Sequence, residues 1–240
     1  MKSEPIVFTG QNIKGTPQMS AAKVRQDLKV IKHPGQVFAF QEFKWPTYWA
    51  ALATVMPNKT FAWRPSGYLG PRSSQPVLWR RHGFKKKNVK VVKLHEGHGT
   101  VTQARYIRGV LLQHKESGYA AWFCSTHWVV GGSRVNSPRV NKLLYAQDKQ
   151  KTTAFLTELA ETGHPVLLHA DLNSQGLALP LKIAGRPVRY WGEKDVIYTI
   201  TIDGEKTKIV NGDLKYIPLS ELNTDHRGRE LTFRLSQETS

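Results

Sequence analysis

A single cysteine in 240 residues, Cys124, excludes an intrachain disulfide, so nothing in the chain requires an oxidising compartment. It sits in an apolar, strand-like run with no activating neighbour in view, and it reads as core packing rather than as a nucleophile. Acidic residues are also scarce, 18 against 35 lysines and arginines, which gives a formal charge of +17 and a pI near 10.0. A field of that sign concentrates polyanions, so an acidic partner is expected; a basic surface kept for solubility is the alternative. Long hydrophobic runs are missing: no stretch nears the roughly 20 apolar residues that cross a bilayer. The opening Met1-Lys2-Ser3-Glu4-Pro5 lacks the features of an export signal. Residence in the cytoplasm, without membrane attachment, is therefore expected.

Internal repeats, low-complexity tracts and linker-like stretches are absent as well. With 40% hydrophobic and 22% charged residues, the composition is globular. Residues 1–240 are expected to form one mixed α/β domain and a monomer. Ile6 to Thr9 reads as a short strand that stops at Gly10, and Ser20 caps an amphipathic helix through Ile31 with Val24, Leu28 and Ile31 inward. Val37 to Phe40 is a buried strand and Thr47 to Val55 a helix. Short strands follow at 60–63, 76–79 and 89–94, and then a hairpin of 106–113 and 119–127. Residues 139–159 carry no Pro or Gly and place Leu143, Leu144, Phe155, Leu156 and Leu159 on one helical face, with Gly163 as terminator. A buried strand at 165–168 and strands near 196–201 and 231–235 complete the reading.

Three buried strands run into polar groups: Phe40 leads to Glu42, Phe123 to His127, Leu168 to Asp171. Ends of strands are where α/β folds place their sites. Five segments concentrate that polarity: Gln11-Asn12-Ile13-Lys14-Gly15, Phe40-Gln41-Glu42-Phe43, Ser125-Thr126-His127-Trp128, His169-Ala170-Asp171-Leu172-Asn173-Ser174 and Asn223-Thr224-Asp225-His226-Arg227. Each is weak alone. Their order, spread from near residue 6 to near residue 235, resembles that of the endonuclease/exonuclease/phosphatase superfamily, the DNase I-like proteins.

That resemblance implies a four-layer α/β/β/α sandwich of two packed, mainly antiparallel sheets flanked by helices. It implies a metal-dependent phosphodiesterase, with Mg²⁺ or Mn²⁺ as cofactor and nucleic acid, DNA first, as substrate. Glu42 resembles the family's principal metal-binding carboxylate, with Asn12 and Asp225 completing or supporting the sphere. A hard divalent cation needs only one or two such carboxylates, because it keeps several waters. Asp171 and His226 are implied to handle the attacking water, and Asn173 and His127 to hold phosphate oxygens. Asp195 is the carboxylate expected to orient His226, with Asp203 as its alternative. Arg105 is a candidate substrate contact. Ala170 stands where the family has Gly before its Asp-x-Asn pair, and Thr224 where a serine is often seen before the closing Asp-His.

Other features fit less sharply. His95-Glu96-Gly97-His98 looks like a metal-ligand cluster, yet its glycines suggest a loop and no cysteine or third histidine adjoins it. The basic run from Arg80 to Lys87 is either a solvated hairpin or a contact for distant phosphates. Arg186, Arg189, Arg227 and Arg229 are expected near the site, and Trp128, Tyr190 and Trp191 either stack bases or fill the core. The same chemistry on RNA, an inositol phosphate or a lipid head group, or a degenerate non-catalytic nucleic-acid binder, are the competing readings.

Overall fold

The computed structural model describes every residue except 1, 14–18, 34, 44, 63–73, 99–101, 133, 135, 137, 175–177, 192–196, 225 and 238–240. In chain order the elements are β1 (Ile6–Asn12), α1 (Ala21–Ile31), β2 (Val37–Gln41), α2 (Pro46–Val55), β3 (Phe61–Ala62), β4 (Val77–Arg80), β5 (Phe84–His98), β6 (Thr102–His114), β7 (Ala120–His127), α3 (Arg139–Glu161), β8 (Val166–Asp171), β9 (Lys182–Ile183), β10 (Arg186–Trp191), β11 (Ile197–Ile202), β12 (Thr207–Ile217) and β13 (Gly228–Gln237). One sheet has six strands in the order β12-β13-β1-β2-β4-β3, the other seven in the order β5-β6-β7-β8-β11-β10-β9.

Alternation along the strands assigns three apolar layers. Inward residues such as Phe8, Val37, Phe123, Leu167, Leu231 and Phe233 fill the space between the sheets. Phe38 and Phe40 point the other way and pack with Val24 and Leu28 of α1 and with Leu52 of α2. Trp122 and Leu168 of the second sheet likewise pack under Phe155, Leu156 and Leu159 of α3. Helix, sheet, sheet, helix is therefore the layering, as the strand and helix patterns imply.

Most local expectations hold. Ser20 Oγ accepts from the Lys23 backbone amide at 3.3 Å and starts α1, and Pro46 sits at the first turn of α2, where its missing N–H costs nothing. Gly163, at φ 82°, closes the turn after α3. Cys124 is fully buried, and burial pushes its thiol pKa up, as core packing predicts. Three expectations need correction. Gly10 does not end β1: the strand runs on to Asn12 because it is paired on both sides, antiparallel to β13 and parallel to β2. Leu143 is 56% exposed, since the buried face of α3 is carried by Leu144, Asp148, Thr152, Phe155, Leu156 and Leu159. His95 to His98 is not a loop but the end of β5, bent by a register shift between Lys93 and His95.

Candidate active site

Four strands from two sheets end at the same pole. β1 and β2 are parallel, with Asn12 opposite Gln41, and Glu42 follows directly. β7 and β8 are parallel in the facing sheet, with His127 opposite Asp171. The inner core holds the sheets face to face, so the polar residues that end these strands meet. Glu42 has φ 59° and Asn173 φ 48°, left-handed conformations that cost energy in residues with a Cβ. Glu42 follows the end of β2 directly and Asn173 comes two residues after the end of β8, where such turns stop pairing and redirect the chain.

The distances define a compact cluster. Asn12 Nδ2 donates to Asp171 Oδ2 at 2.8 Å and links the two sheets. Asp171 Oδ1 accepts from the Asn173 backbone amide at 3.1 Å, while Asn173 Nδ2 donates to the Trp128 carbonyl at 3.0 Å. His127 lies between the acids, with Nε2 3.6 Å from Asp171 Oδ2 and Nδ1 3.7 Å from Glu42 Oε1. Arg105 Nη1 is 3.4 Å from His127 Nδ1. Guanidinium carries only donors, so at that contact Nδ1 accepts and the ring proton sits on Nε2, facing Asp171.

Burial sets the electrostatics. Asp171 is 2% exposed, and loss of solvent raises its pKa to about 6; the neighbouring Glu42 charge adds to the rise. The charge of His226 and the hydrogen bonds from Asn12 and Asn173 oppose it. Arg105 is 8% exposed; burial lowers its pKa, and Glu42, Asp148 and Asp171 hold it up. Those carboxylates are what keep a cation in place there.

Residues that the sequence reading left without roles support the cluster. Gln11 Nε2 donates to the His226 carbonyl at 2.9 Å, and Thr224 Oγ1 donates to the Asn12 carbonyl at 2.8 Å, which ties the 223–227 segment to β1. Gln41 Nε2 reaches Ser125 Oγ at 3.0 Å, and Ser125 Oγ reaches the Phe40 carbonyl at 2.9 Å, a second bridge between the sheets. Amides inside otherwise apolar strands were the available signal. Behind His127, Asp148 of α3 accepts from the Val129 amide at 2.8 Å and lies 3.5 Å from His95 Nε2.

Asn12, Glu42, Arg105, His127, Asp171 and Asn173 thus come together, and His226 is close enough for its charge to act on Asp171. Asp195 and Asp225 lie outside the described residues. Asp203 is taken elsewhere, accepting from Arg189 and from the Ile209 amide. Arg186 and Arg189 are likewise absent from the site: the first donates to the Ala160 carbonyl, the second to Asp203. Trp128 is fully buried and donates to Thr152 Oγ1 at 3.0 Å, so it packs the core and cannot stack a base.

Among the described residues no three His, Cys, Asp or Glu side chains could by themselves hold a metal ion, the His95 cluster included. The oxygen atoms present fit a hard cation that keeps most of its waters. They are the Glu42 carboxylate, 21% exposed, and the buried Asn12 Oδ1, which has no hydrogen-bond partner among the described residues.

No protein-family model and no curated protein matches the sequence. Solved structures do match the fold. An endonuclease/exonuclease/phosphatase family protein from Bacteroides thetaiotaomicron superposes with a TM-score of 0.70 at 12% identity, over 98% of this chain and 99% of that one. A mannosyl-6-phosphatase from the same organism gives 0.67 at 12% identity, over 95% and 99%. TDP2 of D. rerio, complexed with single strand DNA product, gives 0.69 at 14% identity, over 96% and 99%. The two-sheet sandwich built here is accordingly the DNase I-like fold of the endonuclease/exonuclease/phosphatase proteins.

Proposed function

We propose that this chain is a metal-dependent phosphodiesterase that hydrolyses nucleic acid, with DNA as its first substrate. The observation that carries the proposal is the convergence of Asn12, Glu42, Arg105, His127, Asp171 and Asn173 at one pole of both sheets. Structural or capping roles would not require two carboxylates and two cationic or imidazole groups in one buried cluster. The charge of +17 favours a polyanion over a small neutral ester.

Each residue has a task in that reaction. Glu42 and Asn12 Oδ1, with Asp225, would hold the divalent ion, Mg²⁺ or Mn²⁺, which when bound neutralises charge on the phosphoryl oxygens. Asp171 and His226 form the acid–base pair that takes the proton of the attacking water, with Asp195 orienting His226. A carboxyl whose pKa burial has raised toward neutrality is matched to that task. His127 Nε2 and the Asn173 amide donate to phosphate oxygens as charge gathers there. Arg105, behind His127, fixes the tautomer that presents Nε2–H and adds positive charge from a largely buried position.

The test is a panel of phosphoesters (plasmid, linear duplex, single-stranded DNA, RNA and phosphomonoesters) with and without chelator, beside His226→Ala and Glu42→Ala. Cleavage of DNA that stops with chelator and falls at least about a hundredfold in His226→Ala is expected. Hydrolysis confined to phosphomonoesters would move the assignment to a phosphatase. Unchanged turnover in both variants would remove these residues from the chemistry.

A further inference from the structure

The pole opposite the candidate active site carries a basic concavity. Trp79 pairs with Val37, the first residue of β2, and Phe84 pairs with His114 beside the start of β7, whereas Glu42 and His127 lie at the far ends of those strands. The length of β7 puts the two poles about 25 Å apart. The concavity has a volume of ≈ 420 Å³, room for one nucleotide. Arg81, Lys85, Lys86 and Lys115 line it together with Trp79 and Phe84, and no acidic residue is among its described walls.

Two of its cations are pinned in place. Arg81 Nε donates to the carbonyls of Asn58 and Phe61 at 2.6 and 3.1 Å, which leaves the outer edge of the guanidinium as the part that faces outward. Lys115 Nζ donates to the Arg81 carbonyl at 2.7 Å, so both charges sit on one turn. Lys85 and Lys86 are exposed at the start of β5. Two held and two exposed cations, with no acidic residue among the described walls, beside the half-buried Trp79 ring match a phosphate joined to a planar ring: the phosphate meets donors and charge, and the base finds an apolar surface.

We infer that this pocket is a nucleotide-binding exosite, which holds one unit of a single strand remote from the bond being cut, or a free nucleotide of the same chemistry. The inference takes its substrate class from the nucleic-acid reading of the candidate active site, so binding is measured apart from turnover. The wild-type chain and Lys85→Gln/Lys86→Gln are titrated with labelled oligothymidylate in EDTA between 50 and 200 mM salt. Both positions are exposed, so the double variant keeps the fold, which a thermal melt verifies.

Loss of two phosphate contacts on a single strand should lower the slope of log K against log salt by about 1.4 and weaken binding on the order of 50-fold at 50 mM. Competition by thymidine monophosphate adds the free nucleotide to the ligands, and failure to compete assigns the pocket to strands. An unchanged slope overturns the inference, and so does an acidic peptide of equal charge that binds as well as the oligonucleotide. Inactivity on every phosphoester with this binding intact would remove the active-site reading alone; cleavage of DNA with unchanged slopes would remove the pocket alone.

Discussion

Gly10→Ala is the sharpest probe of how the two sheets create the cluster. Gly10 is on β1 two residues before Asn12, and it faces His169, two residues before Asp171 on β8. A Cβ built at position 10 would lie under 3.0 Å from three atoms of the His169 ring, where nonbonded carbons prefer about 3.5–4.0 Å. His169 is fully buried and its Nδ1 is 3.2 Å from Thr199 Oγ1, so the ring cannot swing aside without losing that contact. With the Cβ only 2.0–2.1 Å from the ring, the strands must part by roughly 1.5 Å at this level, at a cost of about 3 kcal/mol or more for an overfilled core.

The same displacement stretches the 2.8 Å bond from Asn12 to Asp171, the link that joins the halves of the cluster. A misplacement near 1 Å lowers turnover on the order of a hundredfold. Urea unfolding and DNA cleavage are to be measured for Gly10→Ala, His169→Ala and the pair. Removing the ring opens the space, so Gly10→Ala should cost almost nothing in the His169→Ala background. Equal costs in both backgrounds would refute the clash, and full stability of the single variant would refute the close approach of β1 to β8.

Acid should destabilise the fold through His169. Burial holds its pKa well below 6.5 and the Arg229 charge adds to the depression, so the unfolded chain binds the proton first. Stability is then complete above about pH 6.5 and declines below it by up to about 1.4 kcal/mol per pH unit, a decline that urea midpoints should show flattened in His169→Gln. Asn12→Ala removes the hydrogen bond to a buried carboxylate and should cost about 1.5–3 kcal/mol; a loss under about 0.5 kcal/mol would mean that Asp171 finds another partner. Asp148→Ala strands the Val129 amide and should lower both stability and turnover, because that bond anchors the residues after His127. Turnover equal to wild type in a folded Asp148→Ala protein would limit the anchor to stability.

Much of this was legible in the sequence, and the reason is physical. Runs such as Val37 to Phe40 and Val166 to Leu168 are apolar on both faces because each strand is covered by the facing sheet on one side and a helix on the other. Their polar ends, Glu42 and Asp171, had to face something other than core. Position 10 was misread because glycine usually punctuates a strand; here it admits an imidazole, which only the register of two distant strands reveals. The fate of Arg189 was hidden for the same reason: its partner Asp203 lies just past the end of the next strand, but the bond depends on side-chain reach. His95 and Asp148 pair across β5 and α3, and no local pattern announces such a contact.

The pairing of β1 with β13 has a consequence for when this chain can act. Gln11 reaches His226 across 215 positions, so the cluster closes only once β13 has been made and paired with β1. Contacts that remote form late and slowly. A chain still growing on the ribosome, short of β13, is consequently a chain whose candidate site is still unassembled.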